Sequence, residues 1–198
     1  MMLADRLRQQ LEEGGRRGTV FLPGDGLDDA DLPGAPGTPA AVLVAITDRP
    51  EPGLLLTQRT DSLRTHAGQV AFPGGRIDPG DDGPVAAALR EAEEEIGLPR
   101  HLPIVVGIAD RYRTVTGYDI VPVVAVVPPD LPLVPQEAEV AKLFEVPLAF
   151  LLAAENHQVR TMDWRGAQRQ FYEMSWDGNR IWGATAAMIV NLTRRLAA

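Results

Sequence analysis

Cysteine is absent from the 198 residues, which excludes a disulfide framework, a zinc-thiolate site, an iron-sulfur cluster and a thiol nucleophile, and makes the reducing cytoplasm the expected compartment. Long apolar runs are absent too. The most apolar stretches, residues 40–46 and 120–127, fall far short of the roughly 18 to 20 residues that span a bilayer. Residues 1–17 mix Asp5, Arg6, Arg8, Glu12 and Glu13 with leucines and lack the uncharged stretch of a secretory signal. Positive charge is in deficit: 19 Lys and Arg stand against 27 Asp and Glu, a net charge of −8. That balance argues against a duplex-binding surface held by phosphate neutralisation. A small anionic ligand would need a local arginine cluster or a bridging divalent cation, because the average field repels phosphate. The expectation is therefore a cytoplasmic protein with a small-molecule partner, without nucleic acid and without membrane.

What is present suits a folded chain. Hydrophobic residues at 45% and charged residues at 23% lie near the values of globular proteins, and the length favours a single domain. Leu3, Leu7 and Leu11 recur every four residues and predict an amphipathic helix ended by Gly14 and Gly15. Residues 16–39 crowd glycine, proline and aspartate into a long loop. This helix and loop, residues 1–39, are expected to pack as an arm on a domain formed by residues 40–198. Short apolar runs predict strands at 40–47, 53–59, 104–110, 119–127 and 140–144, with a hairpin of 157–163 and 167–176 around Arg165 and Gly166. Thr185 is placed to cap a last helix ending at Leu196. No repeat of fixed period is found. The order of elements predicts an α/β domain with a mixed sheet.

The segment 84–96 carries the chemistry. Pro84 suits a first helical turn, with Asp82 or Gly83 as cap, while Gly97 and Pro99 supply a stop. At about 100° per residue, Val85, Leu89, Ala92 and Ile96 share a core-facing arc. Glu91 and Glu95 lie about 40° apart beside it, Glu94 about 60° further round, and Glu93 on the opposite flank. Like charges four residues apart destabilise a helix by about 0.2 to 0.5 kcal/mol, and carboxylates in the last turn also oppose the helix dipole. A solvated acidic face is the plain structural reading. A hard divalent cation such as Mg²⁺, held between one or two carboxylates and substrate phosphates, would relieve the repulsion and supply the missing positive charge. Arg90 offers a planar fork able to fix a neighbouring carboxylate. The turn Pro73-Gly74-Gly75 lets backbone approach a ligand or metal, where a carbonyl could complete the coordination.

These residues resemble a known family. The stretch Gly75-Arg-Ile-Asp-Pro-Gly-Asp81, followed by Arg90-Glu-Ala-Glu-Glu-Glu-Ile-Gly-Leu98, is similar to the Nudix box, G-x5-E-x7-R-E-U-x-E-E-x-G-U with U aliphatic. It departs from the pattern at Asp81, where the family has Glu, and by one extra residue before Arg90, which leaves the glutamate spacing intact. Upstream, Leu54-Leu-Leu-Thr-Gln-Arg59 and Leu63-Arg-Thr-His-Ala-Gly-Gln-Val-Ala-Phe-Pro-Gly-Gly75 look like the extended signature of the coenzyme A pyrophosphatase branch. Residues 112–122, 139–148 and 181–185 are also similar to that branch, so the resemblance covers about 40–196.

The resemblance implies a Nudix fold, an α/β/α sandwich around a mixed sheet. It also implies Mg²⁺-dependent hydrolysis, with Mn²⁺ as possible substitute, of the diphosphate of coenzyme A or its derivatives to phosphopantetheine and adenosine 3′,5′-bisphosphate. Glu91 and Glu95 inherit the principal metal sites, Glu94 a third ligand or water-orienting role, and Arg90 the orienting role. Glu139, with Glu137 as rival, is the further candidate for base or additional ligand. Arg59, Arg64 and His66 form the nearest positive cluster and, with Gln69, are the candidate substrate-binding residues. Two other readings stay open: a Nudix hydrolase of ADP-ribose, a dinucleotide or an oxidised nucleotide, and a non-catalytic Nudix-fold binding module. The carboxylate cluster speaks against the last.

Overall fold

The computed structural model describes residues 2–17, 22, 37–61, 67–164 and 166–197. Arg64, His66, Arg165 and most of the 16–39 stretch lie outside the described residues. The first half of the chain forms α1 (Leu3–Arg16), β1 (Thr38–Thr47), β2 (Gly53–Arg59), β3 (Val70–Ala71), β4 (Gly74–Arg76), α2 (Gly83–Ile96), β5 (Ile104–Ile108) and β6 (Tyr112–Arg113). The second half adds β7 (Tyr118–Val127), β8 (Val140–Pro147), α3 (Leu148–Leu152), β9 (Gln158–Trp164), β10 (Ala167–Trp176), β11 (Asn179–Trp182) and α4 (Gly183–Leu196).

The sheet is mixed because β1 runs parallel to β7 along its whole length, while β2, β4 and the other neighbours pair antiparallel. Side chains alternate across the strands. Leu43, Ala45, Leu55, Val123 and Ala125 face α2, whereas Val44, Ile46, Leu54, Leu56, Val124 and Val126 face the layer of α1, α3 and α4. Both faces are covered, so the central strands read as nearly continuous apolar runs, and the α/β/α sandwich results. A second sheet of β9, β10 and β11 joins the α4 side. Among the described residues no helix is long and apolar enough to cross a membrane.

Several boundaries differ from the sequence expectation. The first helix does not stop at Gly14 but runs to Arg16; Gly14 is buried there, where a Cβ would strike the backbone carbonyl of Arg195 in α4. Thr185 is not a cap. The helix begins two residues earlier, and the Thr185 hydroxyl instead donates to the Val70 carbonyl at 3.0 Å, tying α4 to β3. The 104–110 strand ends at Ile108 and the 140–144 strand continues to Pro147. The 73–76 stretch, read as a turn, contributes strand β4, where Val42, Ala41 and Ala40 pair with Gly74, Gly75 and Arg76.

Candidate active site

The acidic helix α2 packs on the sheet through small side chains, Ala87, Ala88 and Ala92, all fully buried with Ile96. Val85 and Leu89, expected at the centre of the buried arc, lie at its margin. Alanines allow the helix axis to approach the strands closely, and that approach carries one glutamate into the interior: Glu95 is 5% exposed. Gly97, in the left-handed conformation at φ 68°, ends the helix and directs its N–H to the Glu93 carbonyl, as does Leu98 to Ala92. Two further carbonyls are met by the proline-rich loop that follows β7: Val134 N–H donates to Ile96 at 3.0 Å and Gln136 N–H to Glu95 at 2.8 Å. This capping is what delivers Glu139 to the neighbourhood of the glutamates.

Arg90 gathers the outer carboxylates. Its Nε and Nη2 each reach Asp81 at 2.9 Å in a bidentate pair, its Nη1 reaches Glu91 at 2.9 Å and Glu94 at 3.0 Å, and Nη2 also donates to the Arg76 carbonyl at 3.0 Å. A planar guanidinium with five donors satisfies this geometry and an ammonium would not. The pairing with Arg90, and the Asp78 N–H, hold the Asp81 carboxyl down at about 2. Arg90 itself is held above its ordinary value, chiefly by Asp81 and then by Glu91. Asp81, the residue at which the box departs from its pattern, is therefore a positioning partner of Arg90.

Glu95 is held differently. Its Oε2 accepts the Gly74 N–H at 3.1 Å and its Oε1 stands 3.7 Å from Nη1 of Arg59. Burial pushes its carboxyl up to about 7 against those two favourable contacts, and the charges of Glu91 and Glu139 add to the rise. Burial also raises Glu91, against the pull of Arg90, with Glu94 and Glu139 reinforcing it. Mutual repulsion among Glu91, Glu95 and Glu139 is thus built into the site. Glu93 is turned away and pairs with Arg100 at 2.6 Å. Gly75 fits against the Glu91 carboxylate so closely that a Cβ there would lie 2.5 Å from Oε1. The Pro73 carbonyl, a possible coordinating group in the sequence reading, accepts Leu43 N–H at 2.8 Å.

Among the described residues no three His, Asp or Glu side chains stand at the spacing of a formed metal centre. The donor set nevertheless fits a hard cation: oxygen ligands, partly buried, mutually repulsive, beside a glycine cradle. Arg59 also has a buried Nε that finds no hydrogen-bond acceptor among the described residues, leaving it donor capacity. Gln69 is brought beside it, its carbonyl accepting Arg59 N–H at 2.9 Å. The structure thus draws Arg59, Gln69, Arg90, Glu91, Glu94, Glu95 and Glu139 into one region. Asp81 and the Gly74-Gly75 cradle are the members the residue pattern underweighted; the signal for Asp81 was its position in the box.

A buried carboxylate beside a second one, an arginine clamp and a glycine-cradled strand end form an arrangement able to hold a hard cation beside an anionic ligand. Residues 37–164 match the NUDIX domain model, and the chain belongs to the Nudix family of hydrolases, which act on pyrophosphate bonds. It is 45% identical over 157 residues, 79% of this chain and 82% of the relative, to the uncharacterized Nudix hydrolase NudL of Escherichia coli strain K12. Among solved structures it is similar to a binary complex of Caenorhabditis elegans Ap4A hydrolase, with 21% identity and a TM-score of 0.48 over 56% of this chain and 80% of that one. A MutT/nudix family protein from Enterococcus faecalis aligns over 94% of this chain and 71% of its own, with 14% identity and a TM-score of 0.48.

Proposed function

We propose that the protein is a Mg²⁺-dependent pyrophosphohydrolase that cleaves the diphosphate of coenzyme A or its derivatives to phosphopantetheine and adenosine 3′,5′-bisphosphate. The supporting observation is where the branch-specific signature lies. Arg59 ends one part of it and pairs with Glu95; Gly74, next to the last residue of the other, donates its N–H to the same carboxylate. Two residues of the segments that resemble the coenzyme A branch therefore meet on Glu95, the carboxylate proposed to hold the cation.

Glu91 and Glu95 would hold the cation, with Glu94 as third ligand or water-orienting group. A bound divalent cation neutralises the diphosphate and makes attacking water more acidic. Arg90 keeps Glu91 and Glu94 in fixed orientation, so little reorganisation accompanies the reaction. Glu139 accepts a proton from the attacking water or adds a ligand. Arg59 donates to the phosphoryl oxygens, a task suited to its fork, with Gln69, Arg64 and His66 completing substrate recognition. In the net reaction water forms a new P–O bond, the bridging P–O bond breaks, and the bridging oxygen leaves with one of the two products.

The test is turnover of coenzyme A, ADP-ribose and a diadenosine polyphosphate by the purified protein with Mg²⁺, both products being resolved by chromatography. The highest kcat/KM for coenzyme A supports the reading; a higher value for ADP-ribose or the dinucleotide overturns it in favour of the other Nudix substrates. Replacing Arg64 by Ala is expected to raise KM for coenzyme A more than for dephospho-coenzyme A, if Arg64 meets the 3′-phosphate.

A further inference from the structure

On the sheet face opposite α2 lies a cavity of about 350 Å³, bounded by the hairpin β9–β10, the turn after β6 and the first turn of α4. Tyr112, Val115, Met162, Phe171 and Trp182 form much of its wall, and none of them has a part in the hydrolysis proposed above. One further wall residue is chemically out of place. Arg169, on β10 opposite Met162 of β9, has a buried Nη1 that finds no hydrogen-bond acceptor among the described residues. An unsatisfied buried donor is costly, so the cavity is suited to a ligand that is largely apolar and carries an acceptor.

One wall residue, Gln69, is linked through Arg59 to the glutamates. The Gln69 carbonyl accepts Arg59 N–H, and the Arg59 guanidinium stands 3.7 Å from Glu95. Thr185, also on the wall, is hydrogen-bonded to Val70, which fixes α4 against the strand that leads to the site. The aromatic wall does not offer a slot for a base: Phe171 and Trp182 meet at 68° with centroids 5.7 Å apart, and Arg180 already lies 4.9 Å over the Trp182 ring. A slender chain of methylene groups and amide carbonyls fits better than a planar ring.

We propose that this cavity binds the pantetheine arm of the substrate, with Arg169 donating to an amide carbonyl of the arm. The proposal rests on the coenzyme A reading and specifies which end of the molecule goes where.

Titration calorimetry of the full chain with 4′-phosphopantetheine and, separately, with adenosine 3′,5′-bisphosphate tests it. Arg169→Ala is expected to weaken phosphopantetheine binding about tenfold, the loss of one hydrogen bond from a charged donor, and to leave adenosine 3′,5′-bisphosphate binding unchanged. Ala184→Leu, which fills the cavity from α4, is expected to act in the same direction, and thermal melting shows whether each variant is folded. If both folded variants bind phosphopantetheine as the parent does, or lose both ligands equally, the proposal is overturned. Failure of the parent to hydrolyse coenzyme A would instead overturn the functional reading, while the binding result still decides whether the cavity takes this arm.

Discussion

Glu95 shows how two opposing effects can sit on one side chain. Burial favours its neutral form, while the Gly74 N–H and Arg59 favour the charged form, and the balance leaves its carboxyl at about 7. Glu95→Gln keeps an oxygen for the Gly74 N–H and removes the buried charge. We expect the variant to retain its melting temperature while Mg²⁺-dependent turnover falls by ~10²-fold or more; full turnover would remove Glu95 from the metal site. Asp81 lies on the other side of the same balance. Its carboxyl is held at about 2, below the ordinary aspartate value, so its contribution to stability is fully present above about pH 4 and is lost as pH falls through about 2. Asp81→Asn is accordingly expected to be less stable than the parent at pH 6 by denaturant unfolding, with the gap closing toward pH 2. A gap that does not change with pH would show that the Arg90 pair is not its source.

Helices α1 and α2 each depend on a glycine, for different physical reasons. Gly14 lies inside a helix, where Ala would gain up to about 1 kcal/mol in propensity. Its Cβ, however, would meet the Arg195 backbone carbonyl, an atom that cannot rotate away, and overpacking of this kind costs about 1 to 3 kcal/mol. Sterics should win, so Gly14→Ala is expected to lower stability although it improves the local sequence. At Gly97 space is available, since the nearest backbone atom would be 3.4 Å from a Cβ, and the penalty is the left-handed φ of 68°. Gly97→Ala is expected to cost about 1 to 2 kcal/mol, read by thermal melting, and to loosen the end of α2 that carries Glu95. The element boundaries expected from sequence were faithful at Pro84 and Gly97, which punctuate α2, but not at Gly14, which α1 runs through. They missed β11 although Asp177-Gly178, both with positive φ, is a strong hairpin signal. They missed β4 because its glycines read as a turn, when their pairing with β1 depends on a distant strand.

For the whole molecule, with a net charge of −8 and a cluster of like-charged carboxylates, the proposed cation binding would be a global stabiliser. At a Mg²⁺ concentration 100-fold above its Kd the folded state is expected to gain about 2.7 kcal/mol, seen as a higher melting temperature. Glu91→Gln combined with Glu95→Gln should abolish that increase. The amino-acid order alone was enough to mark the Nudix box, the helix bearing it, the parting of Glu93 from Glu91, Glu94 and Glu95, and the apolar strands, because helical and strand periodicities are local properties of the chain. Only the tertiary packing decided that Glu95 is buried, that Asp81 clamps Arg90, that Glu139 stands near Glu91 and Glu95, and that Arg169 and Gln69 share the wall of one cavity. Those outcomes depend on through-space distance and desolvation, which arise only when segments far apart in the chain are brought into contact.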